Sequence, residues 1–203
     1  MALFITFEGG EGSGKSVQAR ALYRRLCRLS IPAVLTREPG GTPPGERIAR
    51  LLKWAQDTDI SPMTELLLFN ASRAQLVQEV IKPDLESGNI VICDRYADST
   101  TAYQSYGRGL DLEMVMTINN TATQGLKPDL TLLLDITVEE GQARKASKRQ
   151  DRFEQEDKAF HQRVLEGYLK MASEEPERWL VIDASQSKAK IGKIIWQRVS
   201  QLI

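Results

Sequence analysis

A single histidine, two isolated cysteines and no surplus of either charge narrow what this 203-residue chain can be. With 27 basic residues against 27 acidic ones, nothing pulls the whole molecule toward a nucleic acid polymer or an anionic membrane surface. Long apolar runs are missing as well: no window of about 18 uninterrupted apolar residues exists, which argues against a spanning helix. The opening MALFITFEGG has no basic segment ahead of its short apolar run. It reads as a buried strand rather than a secretion signal, so the cytoplasm is the expected location. Cys27 and Cys93 lack metal-ligand spacing, and two reduced, largely buried thiols are expected. His161, in AFHQRV, falls in a helical stretch and reads as a surface or packing residue rather than a catalytic one.

What is present suffices for one domain over residues 1–203: 41% of the residues are apolar. Five β-rich runs, at 3–8, 32–38, 89–95, 129–136 and 178–184, are nearly continuous in hydrophobicity, which suits a parallel sheet covered on both faces. Helical patterns lie between them at about 15–29, 44–56, 62–86, 112–123, 139–147 and 154–173, and from about 188 to the end. Strands separated by helices define an α/β fold with right-handed crossovers. REPGGTPPGE (37–46) is a stiff loop, because its prolines and glycines cannot continue a helix. RKASKRQDRFEQED (144–157) is dense in both charges and poor in apolar anchors.

The run FEGGEGSGKS follows an apolar strand and opens a helix, the context in which a glycine-rich loop cradles phosphate. Gly9, Gly10, Glu11, Gly12, Ser13 and Gly14 form the candidate cradle. Lys15 would pair with β- and γ-phosphate oxygens, and the Ser16 hydroxyl would ligate Mg²⁺. Asp94 and Arg95 end the third apolar run, at the strand edge where ligands of open α/β sheets collect. A carboxylate there is a natural partner for Mg²⁺, reached through water. Arg37, Arg73 and Arg95 stand beside turns or aromatics, and an acceptor phosphate calls for such planar guanidinium forks. Phe69 and Arg73 are four residues apart and share one helix face, a ring and a cation suited to a nucleobase.

FEGGEGSGKS, TREPGGT, LLLFNASRAQ, DRYADSTTAYQSYGRGL and DRFEQED occur in the order found in bacterial thymidylate kinases. The resemblance runs from residue 3 to about 185, leaving only the last helix uninformative. It implies the nucleoside-monophosphate-kinase version of the P-loop NTPase fold, with a mobile lid at about 144–157. It also implies Mg²⁺-dependent transfer of a phosphoryl group from ATP to dTMP, giving dTDP and ADP for dTTP synthesis. By that resemblance Arg37 and Arg95 hold the dTMP phosphate, Phe69 stacks on thymine, and Arg73 contacts its O4. Gln104, with Thr101, reads the base near N3; Tyr103 crowds the sugar 2′ carbon; Glu11 meets the 3′-hydroxyl. The sequence departs from the family's usual Ser-Ser or Ser-Leu at Thr100-Thr101, which adjusts the base pocket. A homodimer is implied by resemblance, and Ala184 in DAS (183–185) is an expected contact at the ATP end.

Phosphoryl transfer needs positive charge on the moving group more than it needs a nucleophile from the protein. Some thymidylate kinases carry that arginine inside the phosphate loop, where this chain has Gly12; the other class places it in the lid. Arg149 is the first candidate, with Arg152 and Arg144 next and Lys148 as a supporting charge. Arg152, followed by FEQED, alternatively docks against that acidic run. Three other readings compete: a non-enzymatic nucleotide-binding scaffold, which Lys15, Ser16 and Asp94 together argue against, a kinase of a different nucleoside or nucleotide, and a nucleotide switch or motor. Against the last, the chain has no Asn-Lys-x-Asp motif and no apolar strand ending in Asp-Glu.

Overall fold

The computed structural model describes residues 2–55, 59–145 and 150–203. Its five strands are β1 (Leu3–Glu8), β2 (Ala33–Arg37), β3 (Ile90–Asp94), β4 (Leu130–Asp135) and β5 (Trp179–Asp183). They form one parallel sheet in the order β2-β3-β1-β4-β5, within a residue or two of the sequence expectation at every strand. The helices are α1 (Lys15–Arg28), α2 (Pro43–Trp54), α3 (Pro62–Leu76), α4 (Lys82–Glu86), α5 (Ala97–Thr100), α6 (Leu112–Thr123), α7 (Val138–Lys145), α8 (Lys158–Glu174) and α9 (Lys188–Val199). A widened π-helical turn, Val77–Ile81, joins α3 to α4, and a second one, Thr101–Gly107, continues α5.

Side chains alternate across β1. Leu3, Ile5 and Phe7 pack with Leu22 and Leu26 of α1 and Ile191 and Ile195 of α9. Phe4 faces the other way, against Leu76, Val77, Ile81 and Tyr96. Each fully buried side chain of this kind contributes about 1.5–3 kcal/mol. A third cluster, with Tyr103, Phe153, Phe160 and Tyr168, lies under α8. Thr42, Ser61, Asp157 and Ser187 cap α2, α3, α8 and α9 by accepting from the N–H three residues on. The Asp157 cap explains why α8 starts later than its sequence pattern implies.

Two expectations need correction. The helix over 97–107 has no counterpart in the sequence pattern, because ADSTTAYQSYG is rich in β-branched and hydroxyl residues of modest helix propensity. Packing against α8 and α6 holds it, so tertiary contact overrides local preference. Cys93 is buried as expected, but Cys27 is exposed, since the inward face of α1 carries positions 15, 18, 19, 22 and 26.

Candidate active site

The register brings Phe7, Arg37 and Asp94 level at the carboxyl edge of neighbouring strands β1, β2 and β3. A cleft of about 890 Å³ opens above that edge. From β1 the chain turns through the loop into α1, with Gly9, Gly12 and Gly14 at φ values of 133°, 72° and 95°. Gly12 is also packed from outside: a Cβ there would fall on the backbone carbonyl of Gly141 in α7. Lys15 is buried, and its ammonium donates to the carbonyls of Gly9 (2.8 Å) and Gly10 (2.6 Å). Burial and then the nearby Arg95 push its pKa down to about 8, although Glu11, Asp94 and Glu8 pull the other way. The Ser16 hydroxyl donates to the Asp94 carboxylate. These two oxygen donors fit a Mg²⁺ ion that takes its remaining ligands from phosphate and water. No cluster of three or more metal-ligating side chains occurs among the described residues.

Arg95 follows β3 with φ of 73°, a left-handed value that a non-glycine residue adopts only when its surroundings impose it. Its guanidinium pairs with Glu11 and donates to the hydroxyls of Ser99 (3.1 Å), Tyr103 (3.2 Å) and Tyr168 (3.2 Å). The Tyr103 hydroxyl also donates to Glu11, at 3.1 Å. Burial works against charge on Glu11, yet Arg95, Lys15 and Lys145 together hold its carboxyl well below the usual range. Behind Arg95 lies Glu8, wholly buried, accepting from the Tyr96 N–H (2.7 Å), Ser99 and Tyr168. Burial, reinforced by the Asp98 carboxylate, raises its pKa to about 7.

At the other end, Phe69, Thr100, Tyr103 and Gln104 line the cleft wall. Thr100, not the expected Thr101, faces the opening. Residues 100, 103 and 104 share one helix face, whereas 101 turns away and ties its hydroxyl to the Ala97 carbonyl and Asn119. Arg73 also reaches the wall, but it is 1% exposed and its donors go to Glu38, Asn70, Asn119, Tyr96 and Thr100. Arg37 stands at the rim, 60% exposed, with one amino group on both oxygens of Glu46.

The charge-dense segment divides by role. Arg149 and Lys148 lie outside the described residues. Arg152 donates to the Leu52 carbonyl (3.1 Å) and pairs with Glu65 of α3, so its guanidinium is anchored as a docking residue, but on α2 and α3 rather than on the acidic run that follows it. Arg144 reaches from α7 to the carbonyls of Ala184 (3.0 Å) and Gly12 (3.4 Å), bridging the phosphate loop to the DAS turn. Among the cleft residues not legible as site residues in the sequence, three touch residues that were. Lys145 pairs with Glu11 and Glu154; Phe153 packs on Phe69 with ring centroids 5.5 Å apart; Glu38 anchors Arg73. The charge density of 144–157 was the one sequence signal near Lys145 and Phe153, and nothing in the linear reading pointed to Glu38.

A phosphate loop, a hydroxyl–carboxylate pair and an arginine-lined second lobe at one sheet edge define a P-loop kinase of the nucleoside-monophosphate class. A thymidylate kinase family model matches residues 7–195. A thymidylate kinase of Dehalococcoides mccartyi (strain ATCC BAA-2266 / KCTC 15142 / 195) is 56% identical over 203 residues, covering 100% of this chain and 98% of that protein. One from Roseiflexus castenholzii (strain DSM 13941 / HLO8) is 51% identical, covering 92% and 88%. The crystal structure of thymidylate kinase from Ehrlichia chaffeensis superposes with a TM-score of 0.80 at 33% identity, covering 98% of both chains. The chain belongs to the thymidylate kinase family, whose reaction is phosphoryl transfer to dTMP.

Proposed function

We propose that the cleft holds Mg²⁺·ATP at the phosphate-loop end and dTMP at the Phe69–Gln104 end, with Glu11 as the junction. The observation that carries this reading is the position of Glu11: it belongs to the phosphate loop yet pairs with Arg95 and accepts from Tyr103, both on the acceptor side. Lys15 binds the β- and γ-phosphate oxygens, and the backbone of Gly9 to Gly14 cradles them. Ser16, and Asp94 through water, would hold Mg²⁺, which would neutralise charge on the phosphates. Arg95 and Arg37 take the acceptor phosphate, Arg37 by leaving Glu46; Phe69 stacks on thymine, and Gln104 and Thr100 meet its edge. Arg73 acts mainly by fixing Glu38, Asn119 and Thr100, and it meets O4 by sharing a donor with one of them. The end of α7 and residues up to 157 serve as a lid on a single domain, with the catalytic charge on Arg149 and Arg144 at the ATP end.

Met63 and Leu67 on α3 and Met116 on α6 are exposed apolar side chains, and burying them is the role proposed for a second copy. No described helix is long and apolar enough to cross a membrane, and a cytoplasmic homodimer is the proposed form. Initial rates of ADP release with dTMP, dUMP, UMP, CMP and AMP test the assignment. Strong preference for dTMP is expected, and ATP turnover of equal rate without any acceptor would overturn it. Light scattering of the purified protein tests the dimer.

A further inference from the structure

Gln104 is fully buried between the cleft wall and Glu65. Its side-chain Nε2 donates to Glu65 Oε1 at 2.8 Å. Its Oε1 is buried and takes no hydrogen bond from any described residue. Glu65, itself wholly buried, also accepts from Arg108 Nε (3.1 Å) and from Arg152. Arg108 is braced in turn by Glu156 (2.6 Å) and lies over the Phe160 ring. A carboxylate ion-paired with two guanidinium groups only accepts hydrogen bonds. The amide nitrogen must therefore face Glu65, which commits the amide oxygen to the opposite side. Reversing the amide would set two acceptors against each other in a buried site.

We propose that Glu65 is the positioning residue that fixes which end of the Gln104 amide meets the base, and thereby selects a pyrimidine with a donor at N3. Thymine carries N3–H and satisfies the orphaned oxygen. Cytosine has a lone pair at N3 and leaves two acceptors opposed. This rests on reading Gln104 as a base-edge residue, and it assigns selectivity to a side chain that never touches the nucleotide. Sites built to pair a substrate N–H discriminate strongly against analogues lacking it, because the buried partner is then left unpaired.

The test compares kcat/KM for dTMP and dCMP in the unmodified protein, in Glu65→Gln and in Glu65→Asp. Glutamine both donates and accepts, so it releases the Gln104 amide to either orientation; aspartate remains an acceptor only. The dTMP-to-dCMP ratio is expected to fall about tenfold or more in Glu65→Gln, through KM rather than kcat, and to stay within about threefold of wild type in Glu65→Asp. Equal losses on both nucleotides in Glu65→Gln, or an equally large fall in Glu65→Asp, would overturn the proposal. Should neither variant fold, binding of 3-deaza-dTMP, with C–H in place of N3–H, decides in the unmodified protein. Affinity about tenfold or more below that of dTMP is expected, and equal affinity overturns the proposal. An unmodified protein inactive on dTMP would instead overturn the reading of the cleft.

Discussion

Arg95 and Glu11 are ion-paired across the floor of the cleft, and the Tyr103 hydroxyl joins both partners. The pair ties the end of β3 to the middle of the phosphate loop, so the proposed donor and acceptor sites share one electrostatic joint. Arg95→Lys keeps the charge but loses the planar fork that reaches several acceptors at once. The expected result is a loss of about 10- to 100-fold in kcat/KM for dTMP, at about 1.5–3 kcal/mol for a charged hydrogen bond, with KM for ATP little changed. Steady-state kinetics with each substrate varied in turn checks this.

Glu8 gives the fold a pH signature. Its pKa of about 7 stands above the ordinary 4.5, so between these values the folded protein keeps a proton that the unfolded chain releases. Stability from this group is fully present below about 4.5 and lost as pH rises through about 7, an effect on the order of 3 kcal/mol. Glu8→Gln removes the titration. Its melting temperature should fall less than that of wild type between about pH 5 and about pH 8. Parallel changes in the two proteins would show that Glu8 titrates normally.

Two glycines of one loop should behave differently. At Gly12 a methyl group meets both a φ of 72° and the Gly141 carbonyl, whereas at Gly10 nothing lies within 4 Å of an added Cβ. Gly12→Ala is expected to destabilise by about 1–3 kcal/mol and Gly10→Ala by less than about 0.5. Urea unfolding at fixed pH measures both, and equal values would refute the packing account.

For the charge-dense segment, Arg149→Ala should lower kcat by about 10³-fold with a much smaller rise in KM for dTMP. Arg152→Ala should act the other way, on KM and on thermal stability, because its guanidinium is committed to Glu65 and Leu52. A kcat collapse in Arg152→Ala with normal kcat in Arg149→Ala would exchange the two roles.

The strands were legible because a parallel sheet buried on both faces writes itself as apolar runs. The phosphate loop was legible because few other structures need glycines at that spacing. The helix over 97–107 was not, since its stability comes from α8 and α6, elements distant in sequence. The same distance hid Thr100. Only knowing that 100, 103 and 104 share a helix face turns it, rather than Thr101, toward the cleft. Glu65 was invisible for a related reason. Its partners come from positions 104, 108 and 152, and nothing in a linear reading joins them.

The contact between Gly12 and Gly141 has a consequence for how such enzymes diverge. While α7 rests on the loop backbone, no side chain at position 12 can enter the cleft without displacing the helix. A charge on the loop and a close-seated α7 are thus alternatives within this backbone. Within this backbone, a substitution that adds a side chain at position 12 also has to move α7 off the loop. Grafting an arginine onto this loop by design would therefore require rebuilding the segment after β4 at the same time.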